Sequence, residues 1–140
     1  MATKQKLIKI IFGTCDDRNP GVLILRLFAG IAMMTHGYGK LFGGLEGFTE
    51  NVAGMGFPLP AFFAFMAAFS EFFGALLLTL GLATRVWALL LAVTMGVAAF
   101  VAHAGDPFAM RELAMLYMAV WVFFLFKGAG NYSVDALIKE

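Results

Sequence analysis

Charge is what this sequence has least of. Only 14% of its 140 residues are Asp, Glu, Lys or Arg, against 61% that are hydrophobic, where a soluble domain carries about a quarter charged and about half apolar residues. A domain of this size leaves much of its surface in contact with solvent, so the shortage of polar side chains excludes water as the main solvent and points to lipid. Cysteine is nearly absent too. Cys15 stands alone, which excludes an intramolecular disulfide, a C-x-x-C redox pair and a thiolate metal cluster. The net charge of +1 gives no field for nucleic acid or for strongly acidic partners. What is present in quantity is Phe (16), Gly (16) and Met (9).

The apolar residues fall into four runs on the roughly 20-residue scale of a bilayer-spanning helix: about 20–42, 60–81, 84–103 and 108–126. Pro20 suits a helix start, and Lys127-Gly128 reads as a basic last turn followed by a glycine stop. The runs lack the polar–apolar alternation of a transmembrane β-barrel. The expected fold is therefore all-α, an integral membrane four-helix bundle. Residues 1–19 read as a basic amphipathic segment on the membrane surface, since the apolar part is short and leads into Cys-Asp-Asp-Arg rather than a small-residue cleavage site. The connection from Gly43 to Gly56 is the longest, and Phe48 to Met55 is expected to form a short interfacial helix.

Basic residues give an orientation. With both termini cytoplasmic, Lys4, Lys6, Lys9, Arg18, Arg85, Lys127 and Lys139 lie inside, while Lys40 and Arg111 lie outside, which is a positive-inside bias. Arg26 and Glu71 then sit within spans, at depths where an ionisable group survives only with a partner. The expectation is a buried structural ion pair between Arg26 and Glu71. At 100° per residue Arg26, Met33, His36 and Lys40 share one side of the first helix. His36, Lys40, His103 and Glu112 form an expected outer cluster contributed by three helices. Two imidazoles and a carboxylate at one depth can exchange protons near neutral pH, so His36, His103 and Glu112 are the candidate catalytic groups. Lys40 either belongs to this site or extends to the interface, and Tyr117 either extends the polar column or joins the outer aromatic belt. The Gly39-x-x-x-Gly43 spacing permits close helix approach or simply lets the chain leave the membrane. No H-x-x-x-H or E-x-x-H spacing supports a metal.

The order of motifs resembles DoxX-type membrane proteins. Leu-Arg-Leu-Phe-Ala-Gly (25–30) and His-Gly-Tyr-Gly-Lys-Leu-Phe (36–42) look like that family's first-helix signature. Ser-Glu-Phe-Phe-Gly-Ala-Leu-Leu-Leu-Thr-Leu-Gly-Leu-Ala-Thr-Arg (70–85) resembles its second helix, and His103, Glu112 and Gly-Ala-Gly-Asn-Tyr-Ser-Val-Asp (128–135) match later landmarks. The similarity spans residues 20–137. It implies a four-helix multi-pass protein of the bacterial inner membrane, related to the membrane subunit of a thiosulfate:quinone oxidoreductase and to membrane redox complexes that counter oxidative stress.

Three functions follow as expectations. The first is a redox subunit that binds a quinone in the bundle and receives electrons from a partner protein, with Lys40 and Tyr117 at the cofactor. The second is a non-catalytic scaffold for a partner enzyme, and the third a small proton-coupled carrier. The expected partners are the lipid bilayer, a redox protein and a further copy of the chain, with no nucleic acid.

Overall fold

Local chemistry sets the helix ends. Asn19 turns its side-chain oxygen to the Gly21 amide at 2.9 Å, and Pro20 takes the first helical position, where an amide has no intrahelical partner. Helix α2 then runs Pro20–Phe42 and stops at Gly43. After the short helix α3 (Leu45–Gly54), the second span α4 covers Pro60–Leu80, the third, α5, covers Thr84–Ala102, and the fourth, α6, covers Phe108–Lys127. Gly81 closes α4 in the left-handed region at φ 73°, with Leu82 N–H bonded back to Leu77 at 2.8 Å, a glycine-terminated helix end. The computed structural model describes residues 2–13 and 18–139, so Cys15 falls outside the described residues.

All four long helices are apolar enough to cross a membrane, and no strand occurs among the described residues. The protein is an all-helical membrane bundle. The spans agree with the expected runs to within a residue or so. Gly81 and His103 serve as caps rather than as the last helical residues. The short loop helix starts three residues earlier than expected. A basic helix α1 (Ala2–Phe12) leaves Leu7, Ile8 and Ile10 exposed, and α7 (Val134–Lys139) ends the described chain.

Packing organises the bundle as two helix pairs. Helix α2 lies along the whole of α4, and α6 lies along α5. The pairs join at the α4–α5 hairpin, where the ring of Trp87 fills the space that a side chain at Gly74 would need. Trp121, Phe124, Leu78, Leu91, Ala88 and Met33 close the centre with almost no exposure. Toward the other end the pairs separate. The Pro60–Phe69 half of α4 makes no more than isolated contacts with α5, and the space so opened holds the candidate site.

Candidate functional site

The site begins with a glycine. On α2, Gly30, Met33, Gly37 and Lys40 recur at three- and four-residue spacing, one face of a helix, and the first three are buried. A Cβ on Gly37 would lie 2.4 Å from the Glu71 carbonyl carbon and 2.4 Å from the Phe72 amide nitrogen. At this point α2 and α4 touch backbone to backbone, a contact only glycine permits. The facing turn of α4, Ser70–Gly74, is a π-helical turn, a wider coil that often marks functional sites.

Lys40 sits one turn beyond Gly37, and its ammonium reaches both Glu71 oxygens, at 2.8 Å to Oε1 and 2.7 Å to Oε2. The Phe48 ring of α3 covers the ammonium with its centroid 4.7 Å away. The Glu71 side chain is 1% exposed and that of Lys40 is 35% exposed. A carboxylate inside the protein is thus neutralised by a cation that still reaches toward the surface.

The expected Arg26–Glu71 pair does not form. Gly37 fixes Glu71 near the level of Lys40. Arg26 lies eleven residues before Gly37, or roughly 16 Å along the axis at 1.5 Å per residue, beyond side-chain reach. Arg26 instead donates to the main-chain carbonyls of Thr79 (3.2 Å), Ala129 and Tyr132 (2.5 Å). Its planar fork suits several carbonyls at once. Arg26 thus ties α2 to the end of α4 and to the chain after α6 instead of pairing with Glu71. Asp135 completes this clamp by accepting from the Ala83 and Thr84 amides at 2.7 and 3.0 Å, which caps α5 and holds Ala83 at φ 50°.

Two chambers meet at the Lys40–Glu71 pair. The larger, about 840 Å³, lies between α4 and α5 under α3 and is lined mostly by apolar residues such as Phe57, Phe62, Phe63, Met66 and Val97. Its hydroxyls are occupied: Ser70 bonds Met66 O and Thr94 bonds Leu90 O, both at 2.8 Å. The smaller, about 200 Å³, lies between α2, α5 and α6 and is lined by His36, Tyr117, Met33, Met95 and Met110 among others. Lys40, Glu71, Ala98 and His103 line both.

The structure therefore gathers His36, Lys40, His103 and Tyr117 around one space and adds Glu71 to them. The Tyr117 ring stands edge-on to His36 with centroids 5.9 Å apart and stacks on Trp121 at 5.8 Å. His103, brought to the end of α5 by the π-helical turn Ala98–Ala102, has Nδ1 at 2.6 Å from Asp106 Oδ2. Glu112 is not brought in. It is exposed and lines neither chamber. Met110, Ala114 and Tyr117 form the inward stripe of α6, and five residues turn a helix by about 140°, so Glu112 points away from Tyr117's face. The carboxylates that meet the chamber residues are Glu71, on the shared wall, and Asp106, through His103. Asp106 was legible in His-Ala-Gly-Asp, since a carboxylate three residues after a helix-ending histidine can return to its ring. The Gly39–Gly43 spacing plays no part in packing: a Cβ on Gly39 would meet nothing within 4 Å, and Gly43 caps α2.

A family model described as DoxX matches residues 21–104. The chain belongs to the DoxX family. Among curated relatives, it is 32% identical over 130 residues to the Bacillus subtilis protein named "Putative oxidoreductase CatD", covering 83% of this chain and 95% of that one. It is 30% identical over 126 residues to the Escherichia coli inner membrane protein YqjF, covering 86% and 93%. An uncharacterized Haemophilus influenzae protein is 32% identical over 118 residues, covering 79% and 85%. No solved structure matches the chain significantly. The DoxX match takes in His36, Gly37, Lys40, Glu71 and His103, five of the residues that build the two-chamber site.

Proposed function

We propose that this DoxX protein is the membrane subunit of a bacterial inner-membrane redox complex, that it binds a quinone in the larger chamber, and that a partner protein supplies the electrons. One observation carries the reading: an apolar slot of about 840 Å³ ends on a wall made of Lys40, Glu71 and His103. The fit is chemical as well as spatial. Aromatic and methionine side chains suit a quinone ring and its hydrocarbon tail, and the wall offers an ammonium, an imidazole and a carboxylate where the ring oxygens come to rest. When bound, a quinone supplies a two-electron, two-proton couple. Lys40 would hold a ring oxygen by a hydrogen bond and would favour negative charge there. His103, oriented by Asp106, holds a proton for transfer. Phe48 and its α3 neighbours, which line one side of the slot, would cover a bound ring. The name of the Bacillus relative and that of the Escherichia relative agree with an oxidoreductase role and an inner-membrane location.

Mass spectrometry of an organic extract of the protein purified in mild detergent tests this. A respiratory quinone in near-stoichiometric amount, lost per mole of folded protein in Lys40→Gln, is the expected result. An extract without quinone contradicts the reading. A Lys40→Gln protein that merely accumulates less, with unchanged activity of its partner per complex, favours the scaffold function instead.

A further inference from the structure

The smaller chamber is not needed to hold a quinone, yet for its size it is the more polar of the two. Five of the eleven residues that line it, His36, Lys40, Glu71, His103 and Tyr117, carry polar atoms. Its volume of about 200 Å³ leaves room for several waters, each of which needs two to four polar partners. The larger chamber has the opposite character. Away from the shared wall its polar side chains are Asn51 at the α3 end and the Ser70 and Thr94 hydroxyls, which are bonded to their own helices, and the rest of the lining is apolar.

The positions of the shared residues connect the two. Glu71 has almost no exposure while its partner Lys40 retains a third of its own, so the pair reaches from the slot into the small chamber. His103 borders both chambers. In the other direction, Trp121, Phe124, Leu78 and Leu91 are fully buried, and each Arg26 nitrogen donates to a main-chain carbonyl. Toward the α4–α5 hairpin the bundle is closed by hydrocarbon.

We infer that the small chamber is a water-filled antechamber through which the ligand slot exchanges protons with one membrane face only, the face of the α2–α3 and α5–α6 connections. By the distribution of basic residues this is the outer face. The chain would thereby couple the chemistry in the slot to the proton concentration on that side. The groups along the route are His36 of α2, Tyr117 of α6, His103 with Asp106 at the end of α5, and the Lys40–Glu71 pair between α2 and α4. The destination of the proton rests on the quinone reading. The hydration of the chamber does not.

Single-cysteine labelling separates these claims. In a Cys15→Ser background, Ala114→Cys places a thiol on the small chamber and Ala67→Cys places one on the slot. Sealed right-side-out and inverted membrane vesicles are treated with a charged, membrane-impermeant methanethiosulfonate. The expected result is modification of Ala114→Cys from one face only, at least about tenfold faster than Ala67→Cys, because apolar surroundings disfavour the reactive thiolate and the charged reagent. Equal rates at the two positions, or labelling of Ala114→Cys from both faces or from neither, overturn the proposal. Should Ala114→Cys not assemble, Met95→Cys, at a buried position that lines the small chamber and not the slot, gives the same readout. An apolar maleimide on Ala67→Cys, with and without added menaquinone-4, reads the slot separately. Modification without protection by the quinone sinks the quinone reading and leaves the antechamber standing.

Discussion

Glu71 holds the account together at the scale of single residues, and its partner makes an asymmetric prediction. Lys40→Met leaves a carboxylate with 1% exposure unpaired inside the bundle, and breaking a buried pair this way costs about 3–5 kcal/mol. Glu71→Gln leaves an ammonium that is already a third exposed and can extend to the membrane interface, so its loss is smaller. Lys40→Met should lower the melting temperature in detergent more than Glu71→Gln, and Lys40→Met/Glu71→Leu should recover much of the difference, since an apolar replacement of both partners removes the buried charge. Equal single effects that add in the double variant would show that the two residues do not act as a pair. The presence of Glu71 in a span was legible from the sequence, and so was its need for a cation. The identity of that cation was not, because counting residues from helix ends gives depth but not the stagger between helices. Glu112 failed for a related reason: its depth was suitable but its direction around the helix was not.

At the scale of elements, stagger is set by a seam of small residues. Gly37→Ala drives a methyl into the backbone of Glu71 and Phe72, where neither side can yield by changing rotamer. Overpacking of this kind costs about 1–3 kcal/mol. Gly39→Ala, which meets open space, should be neutral or slightly stabilising, as alanine is the better helix former by up to about 1 kcal/mol. Thermal denaturation of the two variants should therefore differ in sign or nearly so, and a Gly39→Ala loss as large as that of Gly37→Ala would remove the basis for the seam. The clamp at the other end predicts a different phenotype. Arg26→Lys replaces a planar fork with a point charge and cannot serve Thr79, Ala129 and Tyr132 together, while Asp135→Asn weakens the cap on Ala83 and Thr84. Both should speed proteolysis of the chain after Gly128 in detergent and leave the Lys40–Glu71 end intact. The helices themselves were readable because a bilayer imposes a length and a composition on every span. The clamp was not, since main-chain carbonyls as partners for Arg26 leave no mark in the sequence.

For the molecule as a whole, two helix pairs closed at the hairpin end and parted at the other give an apolar slot and a polar antechamber on either side of one ion pair. This arrangement explains why so lipophilic a chain keeps its few ionisable groups at two levels, Arg26 with Asp135 at one end and His36, Lys40, Glu71 and His103 at the other. The central claim is that the slot binds a quinone against the Lys40–Glu71–His103 wall. Thermal stability of the purified protein across a menaquinone-4 titration tests it most directly. Ligand at a hundred times its dissociation constant adds about 2.7 kcal/mol to the folded state, so the account predicts a saturable rise of several degrees in the wild type that is absent in Lys40→Gln. No rise in the wild type, or an equal rise in both, would contradict it.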